Sequence, residues 1–579
     1  MLRMKKTSTL LLATICSVGL FSCKSDSEDS NKTNNSIVVG GNLRLNETTY
    51  FKTLNPLAVN ESSAIHIGSQ IFEGLVKFNQ SDLSIKPAIA HTYESNATQT
   101  IWTFHLRPNA FFHEDPCFKD GKSRAVTAAD VKYCFDKLCA FATNSTQFDV
   151  TFKDFVIGAI ESYEAAKSGK KLPVSGVKIT NDSTIQITLK RPYAEFLNVL
   201  AMPDCWIYPE EAIAKYGSDI DNHPVGSGPF YLANFKKGTS LTLKKNNNYY
   251  GLDNEGNKLP YLDEVNYSFI SDKKAEILEF KSGNLDMVYG IPFEIFHDLM
   301  GDVDDAKKRK NDFQIFNSQA LKSTSLGFNL SEPSVFSKKE VRLAFNYAID
   351  RRKISEFIYH GEVAKAEGVV PIIESFEKAG YDYKSLKSNE FNVVKAQEYL
   401  KQAGFPNGKG FPKLKLQTNI DVNGRNILLV ENVKKMLKEN LNIDIEVVTS
   451  EKHYQTIVDG GVDFFCFSWT GNSPDPENFL RIFYGKNNVE KLLGLNLTNF
   501  NNTQFDSLLL VANAEPNKSK RYSILSKAEK IIMDEVPVIP IYYDENLRLE
   551  RSSVKNFPEN AINYIDLSVV HLTHVPAKK

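Results

Sequence analysis

Val430-Glu431-Asn432-Val433-Lys434-Lys435-Met436-Leu437-Lys438-Glu439-Asn440-Leu441-Asn442-Ile443-Asp444-Ile445-Glu446-Val447-Val448 reads as a helix running into a strand. Val430, Val433, Leu437 and Leu441 keep the three-to-four spacing of a helix with one buried face, and the pattern stops at Asn442. Ile443 to Val448 then has the composition of a strand. Upstream, Asp421-Val422-Asn423-Gly424 supplies turn residues between a strand and this helix, where a loop belongs. Helix followed by strand recurs from Lys395 onward, so the second half is predicted to pack as α/β.

The first half adds period-two strands. Trp102, Phe104 and Leu106 alternate with Thr103 and His105, and Ile185, Ile187 and Leu189 alternate with Gln186 and Thr188. Thr127-Ala128-Ala129-Asp130 forms a capping-box pattern ahead of an amphipathic run through Tyr133, Phe135 and Leu138. In Pro224-Val225-Gly226-Ser227-Gly228-Pro229 the glycines are expected to supply backbone freedom ahead of a strand, with Pro229 fixing the exit. Asp475-Pro476 reads as a helix start, running on through Phe479, Leu480 and Phe483. No internal repeat appears.

The chain has 579 residues, of which 42% are hydrophobic and 24% charged, the profile of a folded globular protein. Lys and Arg number 69 against 70 Asp and Glu, so the basic excess of a nucleic-acid binder is missing. At the N-terminus, Arg3, Lys5 and Lys6 precede an apolar stretch from Leu10 to Phe21 and then Ser22-Cys23. This is the layout of a secretory leader over residues 1–22. Leu20-Phe21-Ser22-Cys23 resembles the lipobox of bacterial lipoproteins, in which the Cys carries the lipid. Residues 23–37 read as a lipidated flexible tether. Loss of the three leader cations leaves 66 basic against 70 acidic residues, a charge of -4. No other apolar run reaches the ~20 residues of a membrane helix.

Cys117, Cys134, Cys139, Cys205 and Cys466 follow the tether, an odd number, so at least one thiol is free. A disulfide is expected among Cys117, Cys134 and Cys139. No spacing supports a zinc site. The sequence holds no GxSxG elbow, HExxH pair or phosphate-binding glycine loop. His113-Glu114 near Cys117 reads as a loop rather than a catalytic pair, and Asp253 to Asn257 as a solvated turn rather than a calcium loop. No catalysis, cofactor or metal is expected.

From about residue 38 to the C-terminus the chain resembles the large solute-binding proteins of ABC importers, in the dipeptide- and oligopeptide-binding class. The resemblance lies in ordered phrases. Leu54-Asn55-Pro56 is followed by Ile71-Phe72-Glu73-Gly74-Leu75-Val76, Trp102-Thr103-Phe104-His105-Leu106-Arg107 and Thr127-Ala128-Ala129-Asp130-Val131. Then come Pro224 to Phe230, Ser282-Gly283-Asn284-Leu285-Asp286, Val341-Arg342-Leu343-Ala344 and Ala348-Ile349-Asp350-Arg351. Ala403-Gly404-Phe405, Trp469-Thr470-Gly471-Asn472-Ser473-Pro474-Asp475-Pro476 and Val538-Ile539-Pro540 complete the series. Arg342 and Asp350 are expected to form a structural charge pair on one helix.

The resemblance implies an α/β, two-lobed periplasmic-binding-protein-like fold with hinge strands and an extra subdomain inserted in the N-terminal lobe. Lobe I would comprise 38–76, an inserted subdomain at 77–190, 191–327 and a return segment at 538–579, with lobe II at 328–537. One crossing is expected near Leu326-Gly327-Phe328-Asn329 and the return near Ile539-Pro540-Ile541. In dipeptide-binding relatives, an Asp after the Trp pairs with the ligand's α-ammonium, and an upstream Arg clamps its carboxylate. The matching positions are Asn472 and, counting back without gaps, Asn419; Arg425 matches if the loop is shifted. Both electrostatic clamps are thus weakened together, which keeps an uncharged polar solute such as an oligosaccharide open as the alternative ligand. Trp469 is a candidate aromatic platform. Asn46, Glu47 and Thr48 fall where family ligand contacts lie, although an exposed loop charge is the simpler reading of Glu47. The expected protein is monomeric, lipid-anchored through Cys23 on the periplasmic face of a bacterial membrane or displayed at the cell surface. It would deliver peptides to ABC permease subunits.

Overall fold

Two long strands, Phe313–Phe328 and Val538–Arg551, pair antiparallel at the centre of a seven-stranded sheet. This computed structural model describes residues 39–140, 147–291, 295–296, 312–359, 363–386, 390–420, 424–485, 495–562 and 564–573. The leader, the tether and Cys23 lie outside the described residues, as does most of the turn Asp421-Val422-Asn423-Gly424. Each long strand serves two apolar cores. Phe313, Ile315 and Leu549 pack with Ile277, Phe280 and Val288, whereas Leu326, Phe328, Ile539 and Ile541 pack with Val341, Phe345 and Val433. A strand pair shared in this way is what joins the two lobes.

In the first lobe a four-stranded sheet runs in the order Asn42–Asn46, Glu264–Ser268, Ser240–Lys245, Phe230–Lys236. A second, antiparallel sheet runs Ala90–Ser95, Ile101–Leu106, Thr184–Thr188, Val177–Asn181. In it Trp102 faces Ile187 and Phe104 faces Ile185, so the alternating faces read from the sequence meet across the ladder. Both sheets contribute to one continuous core.

In the second lobe, Leu414–Thr418 lies parallel to both Ile445–Thr449 and Phe464–Thr470. The helix Arg425–Leu441 buries Val430, Val433, Leu437 and Leu441 as its spacing requires. It ends at Asn442 in the left-handed region, where Asn is tolerated and the backbone N–H turns back onto Leu437 O.

The helix Ala128–Leu138 starts as its capping pattern predicts, the Asp130 carboxylate accepting the Thr127 N–H at 2.8 Å. At Asp253, the carboxylate takes the N–H groups of Glu255 and Asn257, a closed turn in which its own chain satisfies the acceptor. His113 is buried and bound to Gly228 O, and burial pushes its imidazole down to about 4.

Three expectations are corrected. Gly226 and Gly228 are required for close approach: an added Cβ would meet Ile71 O at 2.0 Å and Gln70 O at 2.5 Å, so no side chain fits against that helix end. Arg342 does not pair with Asp350. It is buried and donates to the carbonyls of Phe336 and Glu535, while Asp350 accepts the Lys353 N–H and caps the next helix. Cys117, Cys134, Cys139, Cys205 and Cys466 form no disulfide with one another; Cys134 and Cys139 are packed as small apolar groups, and Cys117 is half-buried.

Glu529 is fully buried beneath the second lobe, accepting from Tyr381 Oη–H (2.5 Å) and Val370 N–H (2.8 Å). Burial pushes its carboxyl up to about 7. Because the folded value exceeds the unfolded one of about 4.3, this group's stabilisation is complete below about pH 4 and is lost as pH rises through 7. Glu529→Gln is therefore expected to remove one proton's share, about 1.4 kcal/mol per pH unit, from the fall in stability between about pH 5 and 7. Urea unfolding across that range measures it. Glu550, also raised to about 7 by burial, leaves a residual slope of the same sign.

Candidate functional site

The parallel strands Leu414–Thr418 and Phe464–Thr470 end at the same edge of the large sheet, and ligands of α/β proteins bind outside the carboxyl ends of such strands. Asn419 follows the first of them. Trp469 lies at the end of the second, and Asn472 just beyond it. Thr470 pairs with Lys322, close to the middle of Phe313–Phe328, so this edge opens where the lobes join. At that place the long strands lose register, between Gln319 and Ser323 opposite Glu545 and Tyr543. The bulge brings Leu321 inward to donate to Ala561 O and accept from Gly471 N–H. It sits several residues before the crossing expected at Leu326-Gly327-Phe328-Asn329.

The side chains at this edge are held from behind. Trp469 is half-buried, and its Nε1–H donates to Asn478 O at 2.9 Å. Asn472 donates its N–H to Asn478 Oδ1, and its carbonyl accepts from Tyr564 Oη–H at 3.0 Å. Asn419 Oδ1 accepts from Asn426 Nδ2 at 2.9 Å. Arg425, first residue of its helix, lies 5.1 Å over the Tyr359 ring with Nη1 3.8 Å from Asp544. Asp544 also meets Lys322 at 3.1 Å, so two cations converge on one hinge-strand carboxylate.

Glu47 and Thr48 follow the strand Asn42–Asn46 of the first lobe. Glu47 is no exposed loop charge: it is 5% exposed and accepts from His66 Nδ1–H at 2.8 Å and from Tyr289 Oη–H. Thr48 is half-buried. Beside them a cavity of about 110 Å³ is lined by His66, Tyr289, Ser318, Asn546, Arg548 and Phe557 among others. Sequence reading missed this group. Its members come from a helix, three strands of the large sheet and the C-terminal return, and no spacing links residues 66, 289, 318 and 548.

A second buried assembly ties the cores together. Arg521 Nη1 lies 2.5 Å from Asp475 and 3.0 Å from Glu195, all three almost wholly buried. Glu195 is flanked by Tyr193 and Phe196 of the first lobe's core, Arg521 by Tyr522 of the core behind Trp469. Despite burial, the Arg521 guanidinium holds the Asp475 carboxyl below the usual carboxylate range. Burial, together with the neighbouring Asp475 charge, pushes Glu195 well above it.

The family model of the bacterial extracellular solute-binding proteins, family 5, matches residues 84–491. The oligopeptide-binding protein OppA of Bacillus subtilis is 30% identical over 530 residues, 87% of this chain and 89% of that protein. Heme-binding protein A of Haemophilus influenzae is 26% identical over 529 residues, 88% of each. Among solved structures, the periplasmic binding protein DppA of Helicobacter pylori in complex with the peptide STSA superposes with a TM-score of 0.72. It is 23% identical, and the match covers 92% of this chain and 98% of that one. Such coverage, with two lobes joined by a shared strand pair, places this chain among the bacterial extracellular solute-binding proteins of family 5, the binding proteins of ABC importers.

Proposed function

We propose that this protein captures peptides between its lobes and hands them to the permease of an ABC importer. The observation that supports the reading is the sheet edge at which the strands before Asn419 and Asn472 end, where Trp469 and Thr470 pair beside the register shift of the long strands; Glu47 and Thr48 are the contacts proposed from the other lobe. Relatives of matching length are named for oligopeptides and dipeptides, which supports a peptide as the solute. Lobe I takes in 38–76, the inserted subdomain 77–190, 191–327 and the return 538–579, with lobe II at 328–537. The lobes hinge at the register shift. Asn472 and Asn419 hold peptide amides by neutral hydrogen bonds, with Trp469 as the wall behind them. The protein works as a monomer, lipid-anchored through Cys23 on the periplasmic face of a bacterial membrane or displayed at the cell surface.

Denaturing the purified protein and weighing the released solutes by mass spectrometry tests the substrate class. Peptides of a few residues are expected. Oligosaccharide alone, or haem alone, would overturn the peptide reading while leaving the family intact.

A further inference from the structure

The cavity beside the hinge strands holds polar groups that its own walls leave incomplete. His66 is 6% exposed; its Nδ1 is engaged by Glu47, while its Nε2 has no hydrogen-bond partner among the described residues. Arg548 is 9% exposed and lies between two rings, 4.6 Å from the Phe316 centroid and 4.8 Å from that of Phe557. Its Nη1 donates to Pro558 O, but Nε and Nη2 make no hydrogen bond. Nη2 lies 3.0 Å from Glu550 and 3.8 Å from Glu559, so two carboxylates already share its charge.

Nε and Nη2 form one edge of a guanidinium, the edge that forks a carboxylate. Nη2 is shared with Glu550, while Nε is an obligate donor, and a buried donor without an acceptor is costly. Arg548 is the one formally charged residue among those lining the cavity; outside the lining, Glu47 holds His66 and Glu550 lies 3.0 Å from Arg548 Nη2. Ser318 and Asn546 add a hydroxyl and an amide from the two long strands. Imidazole completes the set: its Nδ1–H is given to Glu47, and Nε2 is the ring atom left for a ligand. The space exceeds what one water needs many times over, so it admits a carboxylate-bearing arm.

We infer that this cavity is a subsite for a carboxylate of the transported solute, a peptide's acidic side chain or its C-terminus, bound by Arg548, His66 and Asn546. The inference rests on the reading of the protein as a solute-capturing module. It supplies on lobe I the anion contact that Asn419 lacks on lobe II.

The test uses calorimetric titration of the purified protein with tripeptides in two arms. A Glu-for-Gln scan through trialanine reads the side-chain source, and free acid against C-terminal amide reads the other. In at least one arm the acid is expected to bind about tenfold or more tighter than its amide. Asn546→Asp, which sets a carboxylate against the ligand's, and Ser318→Phe, which fills the space, should each abolish that difference. Melting temperatures near wild type show that the variants fold. Equal binding of acids and amides in both arms, or a preference surviving both variants, overturns the subsite and leaves peptide capture standing.

A second readout separates the two readings. Glutarate, but not glutaramide, should shift the imidazole nitrogen resonances that His66→Gln removes. That shift without binding of any tripeptide keeps the subsite and overturns the peptide. Neither a shift nor an acid preference overturns the subsite.

Discussion

Arg521→Met is expected to destabilise the protein by about 3–5 kcal/mol, because it strips the counter-charge from a buried carboxylate. The geometry sets the size of this effect. Asp475 accepts two hydrogen bonds from the guanidinium, at 2.5 and 2.8 Å, and also binds the Glu477 N–H at 2.9 Å, which starts the helix Glu477–Leu480. Met replaces the apolar stem but not the charge, so Asp475 must become protonated in the fold or remain ionised without a partner. The same change frees Glu195, whose segment is tied to the other core by the Ala194 N–H to Asn513 O bond. Chemical unfolding followed by tryptophan fluorescence measures the loss. Acidification should restore part of it, as protonation of Asp475 removes the unpaired charge. An unfolding midpoint unchanged from wild type at neutral pH would show that the triad contributes nothing net.

The second large effect concerns binding. If Asn472 faces the ligand's ammonium, as the proposed site has it, Asn472→Asp supplies a carboxylate there. A partly buried charge pair in place of a neutral hydrogen bond is expected to tighten binding of peptides with a free N-terminus by about tenfold or more. N-acetylated peptides should gain nothing, and repulsion from carbonyl groups should weaken them. The supporting geometry favours a clean substitution: the backbone of Asn472 is fixed by Asn478 and Tyr564, and neither bond uses the side chain. Calorimetric titration of free and acetylated forms of one tripeptide decides it. Equal changes for both forms would place Asn472 away from the ligand amine.

The parts of this protein legible in the sequence are those written locally. Alternation at Trp102, Phe104 and Leu106 and the helical spacing from Val430 to Leu441 reappear in the burial pattern residue for residue. The Thr127 capping box is equally local. What escaped reading depends on encounters between distant segments. Gly226 looked like a flexible turn residue because the carbonyl of Ile71, which excludes a Cβ, comes from an unrelated part of the chain. Glu47 looked like a loop charge because its partners, His66 and Tyr289, stand 19 and 242 residues away. Arg342 was assigned to Asp350 by helical proximity, whereas the acceptor Glu535 O is 193 residues distant. The site divides the same way. Asn419, Trp469 and Asn472 are candidates that family phrases point to; Arg548, Ser318 and Asn546, brought together only by the pairing of the long strands, carry no such phrase.

Peptide capture between the lobes is tested most directly by thermal unfolding of the purified protein against peptides of two to five residues, an oligosaccharide panel and haem. A solute that binds only the folded state, at about 100 times its dissociation constant, adds roughly 2.7 kcal/mol of stability. A rise in melting temperature with peptides, absent with sugars and haem, is the predicted result. A rise with oligosaccharides or haem and none with any peptide would contradict it.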